Sequence, residues 1–427
     1  MYFMYNILLF IISLLSFPFI FLAIAKKKYR KGLSQKLGLV PPHLLLGLSG
    51  SRPVWIHAVS VGEVMAAIPL IQEIKTRYPS QKMVLSTVTV TGNYTATIRV
   101  KEVDVVLYFP FDYPFIVKRV IKKINPQLFV TLETEIWPNF LRELKNNNIP
   151  SVVISGRISN HSYHKYRWAR FFFSKVLDNI DAFCMQTEVD TRRIIDIGAQ
   201  ADRVITIGNL KFDQRVPILN AEEKVALYSI LNLKEGQRIF IAGSTHKGEE
   251  DIVVEVFKGL KQSYEDLILV LAPRHPERFD EVAHLLSRHR LPSIKKTEIK
   301  RGKGGNHHDV ILLDTIGELS KLYSIGTIIF VGGSLVSIGG HNVLEPVAYK
   351  KAVIFGPHME NFSEISRSLR ESGGGLQVHT QEEFLLKARM LLQNDTVRDK
   401  LGEQAFKVIA HNQGAIKKVM EVIGKLR

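Results

Sequence analysis

From residue 54 onward the chain repeats one alternation: a short run of apolar, mostly β-branched residues, then a longer stretch with apolar positions at helical spacing. Runs of the first kind cover residues 54–58, 83–88, 105–109, 128–132, 151–154, 182–185 and 204–207. Amphipathic stretches such as 64–77 and 139–145 fall between them. Apolar runs without polar alternation predict strands buried on both faces, and their alternation with helices predicts parallel sheets covered on both sides. A polar, proline-containing stretch at 214–223 interrupts the pattern, and a second set of runs follows at 239–242, 267–271, 310–313, 328–331 and 352–355. The chain therefore reads as α/β, with two successive Rossmann-like domains at 32–213 and 214–427. The basic, glycine-rich segment 300–308 reads as a loop between strands.

Ahead of this pattern, residues 1–25 carry no charge, and the run 3–25 meets the roughly 20 apolar residues needed to cross a bilayer. Ala23-Ile24-Ala25 resembles a signal-peptide cleavage site, but a basic n-region is lacking and the run exceeds the about 7–15 residues of an h-region. Lys26, Lys27, Lys28, Arg30 and Lys31 follow at once, which by the positive-inside rule holds the downstream chain in the cytoplasm. Residues 1–31 are thus expected to form a single-pass transmembrane helix with a basic linker. Removing them is expected to leave a folded protein with weaker membrane association.

Composition narrows the partners. The 427 residues, 46% of them hydrophobic, exceed what one core usually organises. A net charge of +16, from 57 Lys and Arg against 41 Asp and Glu, suits nucleic acid, acidic lipid headgroups or a phosphorylated substrate. The single cysteine, Cys184, excludes an internal disulfide and a cysteine metal cluster, and its apolar surroundings read as core.

In open α/β sheets ligands bind beyond the carboxyl ends of the strands, and two such domains facing one another make a cleft. Gly62 and Glu63 stand after the first strand at a helix start, where an ionised carboxylate is favoured and can deprotonate a hydroxyl. Glu63 can equally just complement the helix dipole, and Ser60 can be an N-cap; no Gly-x-Ser-x-Gly elbow surrounds it. Glu133 and Glu135 follow the strand at 128–132, in a turn stiffened by Trp137 and Pro138. Arg157, after Ser155-Gly156, and Lys211, after Gly208-Asn209-Leu210, place cations at two more strand ends, suited to phosphate or carboxylate.

In the second half, Gly243, Ser244 and Thr245 form a small-residue strand-to-helix turn suited to phosphate, without the spacing of a Walker loop or Gly-x-Gly-x-x-Gly. Pro273 stiffens the turn presenting Arg274 and His275, a guanidinium for a nucleotide phosphate beside a histidine read mainly as support. Gly317, Glu318 and Leu319 follow another strand. Farther on, Gly339 and Gly340 precede Asn342 and Glu345, which share a face if helical and suit ribose and phosphate.

Six strings, taken together, resemble the 3-deoxy-D-manno-octulosonic acid (Kdo) transferase family: His57-Ala-x-Ser60-Val-Gly-Glu63, Glu133-Thr-Glu-Ile-Trp-Pro-Asn139, Gly243-Ser-Thr-His246, Ala272-Pro-Arg-His-Pro-Glu277, Asp314-Thr-x-Gly-Glu-Leu319 and Gly340-His-Asn-x-Leu-Glu-Pro346. The resemblance covers nearly the whole chain. It implies a two-domain GT-B fold, CMP-Kdo as donor, lipid IVA as acceptor, and attachment to the bacterial inner membrane with the catalytic domains on its cytoplasmic face. It also implies Glu63 as general base, Glu133 and Lys211 as transition-state stabilisers, and Pro273, Arg274, Gly317, Glu318, Leu319, Asn342 and Glu345 as CMP contacts. No cofactor and no nucleic acid are implied, and the absence of Asp-x-Asp agrees with metal-independent transfer. Other readings are a different GT-B transferase acting on a membrane lipid, and a non-catalytic membrane scaffold that binds nucleotide or acidic lipid.

Overall fold

Strands β1 (Val54–His57), β2 (Met83–Thr87), β3 (Val105–Tyr108), β4 (Leu128–Leu132), β5 (Ser151–Gly156), β6 (Ala182–Met185) and β7 (Val204–Thr206) form one sheet in the order β3-β2-β1-β4-β5-β6-β7. A second sheet holds β8 (Ile239–Thr245), β9 (Ile268–Pro273), β10 (Ser293–Lys295), β11 (Val310–Leu312), β12 (Ile328–Val331), β13 (Val353–Phe355) and β14 (Gly375–Gln377), in the order β10-β11-β9-β8-β12-β13-β14. Every pairing is parallel, as the unalternating apolar runs require. The computed structural model describes residues 1–25, 30–214, 216, 217, 219–299 and 308–427, without the side chains of 17–25.

Eight helices matter for the site: α1 (Tyr2–Ala25), α2 (Val61–Arg77), α3 (Pro114–Ile124), α4 (Pro138–Asn146), α5 (Arg170–Leu177), α6 (Glu249–Lys261), α7 (Leu344–Ala348) and α8 (Ala415–Leu426). In the first sheet successive side chains feed opposite cores. Val54 and Ile56 join the cluster that contains α2, while Trp55 joins the one beneath α3 and α4. Trp55 meets Phe129 and Phe140 edge-on, at centroid distances of 5.7 and 5.1 Å, and its Nε1–H donates to Ser86 Oγ at 2.8 Å. That one bond lets the largest buried side chain keep its polar atom satisfied inside an aromatic core.

The chain divides into two compact units, one of Met1–Gln214 with Asn412–Arg427 and one of Arg215–His411. The second domain, expected over 214–427, therefore gives up its tail: α8 packs into the core of the first unit through Ala415, Val419, Met420 and Ile423. Asp213 fixes this return, because its carboxylate accepts the Gly414 and Ile416 N–H groups at 2.7 and 2.6 Å, satisfying donors that a helix start leaves open. Strands β10 and β14 were not expected from the sequence.

Among the described residues no helix is long and apolar enough to cross a membrane. The expected span 3–25 forms a helix, but the side chains of its second half lie outside the described residues, as do Lys26, Lys27, Lys28 and most of the loop expected at 300–308. The described half also differs from a free span: Tyr2, Tyr5, Asn6 and Ser13 are half-buried against the first unit.

Replacing Asp213 with Ala is expected to cost about 1 kcal/mol in the docking of α8. Amide hydrogen exchange should speed up along residues 415–426 and stay unchanged in the second sheet.

Candidate active site

Strand order reverses between β1 and β4 in the first sheet and between β8 and β12 in the second. At such a switch point the connections diverge and leave a crevice at the carboxyl ends of the strands. Glu63 follows β1 and Glu133 follows β4, so the two carboxylates flank the first switch point.

Glu63 sits in the first turn of α2 and is 8% exposed. One oxygen accepts the Val59 N–H at 2.8 Å and the other the Ser60 hydroxyl at 3.0 Å. The helix-start role that competed with catalysis is thus realised in the same side chain. Each oxygen keeps a further lone pair for a third partner. Burial first, then the neighbouring Glu133 carboxylate, push Glu63 from an ordinary value of 4.5 up to about 7. The expected fully ionised carboxylate is replaced by one poised between its two states near neutrality.

Glu133 is half-buried and holds a left-handed backbone, φ 55°; burial first, then the Glu133 charge, also raises Glu135. Between them, the Thr134 hydroxyl donates to the Arg157 carbonyl at 2.6 Å and accepts the Arg157 N–H at 3.0 Å. This locks the expected Ser155-Gly156-Arg157 segment beside the acidic turn. Ser155 and Gly156 themselves belong to β5, where the register shifts, and Ser155 takes φ 52°.

Lys211 follows β7, the edge strand of the same sheet. Its N–H donates to Asn209 Oδ1 at 3.0 Å, Asn209 in turn donates to Gln186 at 3.3 Å, and Gln186 donates to the Ser155 carbonyl at 2.9 Å. A chain of side chains thus ties the ends of β5, β6 and β7, and the turn 210–213 packs against α2, which carries Glu63. His57, part of the string that carried the resemblance, is fully buried, stacked on Phe109 at 3.9 Å, and pushed down to about 3 by that burial. It is a neutral core residue.

In the second unit β8 ends in a bulge between Gly243 and Thr245, with Ser244 at φ 56°. A Cβ at Gly243 would run into the Tyr323 hydroxyl, so the glycine is required for packing. Thr245 is fully buried, and its carbonyl accepts the Arg274 N–H at 3.0 Å, which leaves the Arg274 side chain exposed just past Pro273, the last residue of β9. Gly317 has φ 94°, a conformation that suits glycine, and opens the turn into Glu318 and Leu319. Burial opposes the charge on Glu318, but the Thr315 hydroxyl and the Lys296 ammonium, at 2.9 Å, hold it below its ordinary range. Asn342 and Glu345 meet as expected, at 3.2 Å, although Asn342 lies outside the helix: its Oδ1 accepts the Leu344 N–H at the start of α7.

Two features at the second switch point escaped the sequence reading. Glu249, fully buried at the start of α6, accepts N–H groups from His246, Gly333, Ser334 and Leu335 at 2.7–2.9 Å, and so pins the loop after β12 to the turn after β8. His246 and His341 stack with their Nε2 atoms 2.8 Å apart. Burial first, then His275, Arg278 and Arg274, lower His246 to about 4; burial, then Arg274, His246 and His275, lower His341 to about 3, so one neutral ring donates to the other. Among the described residues no group of three acidic, histidine or cysteine side chains is placed to hold a metal ion.

Residues 31–214 match the family described as 3-Deoxy-D-manno-octulosonic-acid transferase (kdotransferase). A 3-deoxy-D-manno-octulosonic acid transferase of Haemophilus influenzae is 34% identical, covering 99% of this chain and 97% of its own. Two solved structures share the fold. A UDP-GlcNAc 2-epimerase from Neisseria meningitidis bound to UDP-GlcNAc is 13% identical, with 88% of this chain and 100% of that one covered at a TM-score of 0.58. A glycosyltransferase from Rickettsia africae is 16% identical, with 88% and 98% covered at 0.57. These likenesses identify a GT-B-like fold, and on the strength of the sequence match along nearly its whole length the chain belongs to the 3-deoxy-D-manno-octulosonic acid transferase family.

Proposed function

We propose that this protein transfers Kdo from CMP-Kdo to a lipid A precursor, lipid IVA, at the cytoplasmic face of a bacterial inner membrane, to which its N-terminal apolar segment attaches it. The observation that carries this reading is the pair Glu63 and Glu133 at the first switch point, in a chain of this family. Glu63 acts as general base. Its carboxylate takes the proton of the acceptor hydroxyl while the hydroxyl oxygen bonds to the anomeric carbon with inversion, and the bond to the CMP phosphate breaks with its electron pair leaving on CMP. A base titrating near the working pH combines a useful ionised fraction with enough basicity to matter in the transition state. Glu133 faces the positive charge that develops on the sugar, and Lys211 serves the negative groups of the reacting partners. In the second unit Arg274 is exposed to grip the nucleotide phosphate, and the hydrogen-bonded Asn342 and Glu345 offer acceptors to ribose hydroxyls. The net charge of +16 supports residence at an anionic membrane, where the acceptor is embedded.

Incubating the purified protein with CMP-Kdo and lipid IVA should yield lipid heavier by whole Kdo residues on mass analysis. CMP should inhibit this transfer and UDP should not; the reverse order would assign a different donor. Glu63→Gln is expected to bind CMP as the wild type does and to lose transfer by about a hundredfold or more. Wild-type turnover in that variant excludes Glu63 as the base. Because its carboxyl is raised to about 7, the active ionised form is lost as pH falls through that value. The kcat/KM profile should therefore rise up to pH about 7 and level above it. Removing the neighbouring charge with Glu133→Gln should move the inflection to lower pH, with a lower plateau.

A further inference from the structure

Helix α1 has its polarity reversed relative to a soluble amphipathic helix. Tyr2, Tyr5, Asn6, Leu9, Ser13 and Ser16 recur at helical spacing and are the half-buried positions of its described part. They face the first unit. Phe3, Met4, Leu8, Phe10, Leu14 and Leu15 point outward, between 55% and 76% exposed. Monomeric soluble proteins rarely expose so continuous an apolar face, which marks a protein or membrane contact. The hydrogen-bonding groups on the stripe find partners in the protein, so the outward face carries almost no polar group into its surroundings.

The stripe lands on a particular place. The Tyr5 hydroxyl donates to Asp112 Oδ2 at 2.9 Å, and Asn139 Nδ2 donates to Asn6 Oδ1 at 2.7 Å. Asp112 also accepts the Asn139 and Phe140 N–H groups at 3.0 and 2.8 Å, which caps α4. Helix α4 begins where the Glu133–Glu135 turn ends. Tyr2 adds a second hold: its oxygen accepts from Asn179, and Arg142 of α4 sits 4.6 Å from its ring centroid. Ser13 and the Tyr113 hydroxyl are hydrogen-bonded at the other end.

We infer that α1 lies in the plane of the bilayer surface with its apolar face in lipid, and that through Tyr5 and Asn6 it braces the Glu133 turn, making the membrane-bound helix a positioning element of the site. The brace rests on the catalytic reading of that turn; the lipid contact does not. The outward face is occupied by an anionic bilayer. Phe115 and Phe171 are exposed on α3 and α5, beside Tyr113 and Phe172, which contact the stripe, and Lys118 and Arg170 are exposed with them, the aromatic and cationic surround expected at a lipid headgroup layer. A helix held by the protein at Tyr2, Tyr5, Asn6 and Ser13 is not a detached tether. Deleting residues 1–31 is therefore expected to cost turnover as well as membrane attachment.

The test uses the full chain on vesicles of phosphatidylethanolamine and phosphatidylglycerol. Leu8→Cys is labelled with a fluorophore; native Cys184 is buried, its thiol pushed up to about 12 by that burial, and does not compete. Nitroxide lipids should quench the label about twofold or more. An unquenched label on vesicle-bound protein overturns the lipid face, as does quenching that requires a second nitroxide-labelled copy of the chain, which would make the face a self-association surface. For the brace, Tyr5→Phe combined with Asn6→Leu should remain on vesicles and bind CMP normally. Its kcat should fall about tenfold at unchanged KM for CMP-Kdo. Asn6→Asp, which keeps an oxygen opposite the Asn139 amide, should hold kcat within about twofold of wild type, whereas Asn6→Leu should not. Equal kcat for Asn6→Asp and Asn6→Leu overturns the brace even if the double variant fails to fold. Absence of Kdo transfer by the wild type would remove the catalytic reading and leave the quenching result standing.

Discussion

The chemistry assigned to this fold depends on how one carboxylate is held between opposing demands. Glu63 is withdrawn from water and set beside Glu133, and both effects favour its protonated form. Against them stand two hydrogen bonds and the start of α2, whose unpaired N–H groups favour negative charge. Neither side wins outright. An exposed glutamate would keep its ordinary value of 4.5 and be a much weaker base; one buried without donors would hold its proton more tightly still. The switch point between β1 and β4 supplies the intermediate case, since it brings a helix start and a second acidic strand end to the same edge.

The second unit resolves the same geometry differently. Its buried carboxylate, Glu249, also sits at a helix start beyond a strand, but four backbone N–H groups occupy its oxygens. Saturated in this way it holds loops together and has little capacity left for a substrate proton. The histidines beside it are neutral, so positive charge at this edge resides on Arg274, which the bulge in β8 and Pro273 present to solvent. One unit thus keeps a carboxylate with lone pairs to spare, as the proposed base requires, and the other holds Glu249 in a structural role while exposing a cation suited to phosphate.

Much of this was legible in the sequence where burial is one-dimensional. The bounds of β4 are legible because each of its residues is buried and a charged residue, Glu133, follows it. β10 and β14 escaped because they are three-residue edge strands, partly exposed and carrying Lys295 and Gln377. Pairings between distant residues were also out of reach. His246 and His341 lie 95 positions apart, and nothing local marks either as the other's partner. The polar stripe of α1 was hidden for another reason: its few hydroxyls and one amide are outnumbered by apolar residues, so average hydropathy suggested a span, while the spacing that reveals a docking face needs the partner surface to acquire meaning.

Local backbone strain at the strand ends follows the same division between scaffold and site. Glu133 after β4, Ser155 in β5 and Ser244 in β8 all adopt left-handed conformations without being glycine, each at a cost of about 1 kcal/mol or more. Glycine at these positions would relieve that cost and remove the side chain, so the strain is informative about what the side chain or the bend is for. At Glu133 the conformation ends a fully buried strand on a carboxylate whose charge is felt at Glu63. At Ser155 and Ser244 it accompanies a shift in register, which lets Gln186 reach back to the Ser155 carbonyl and lets Thr245 receive the N–H of Arg274. Regular β-structure alternates its side chains between two cores and offers none to the edge. Each departure from regularity here is what delivers a polar or charged group to the carboxyl end of a sheet, and the surrounding all-parallel framework is rigid enough to sustain it.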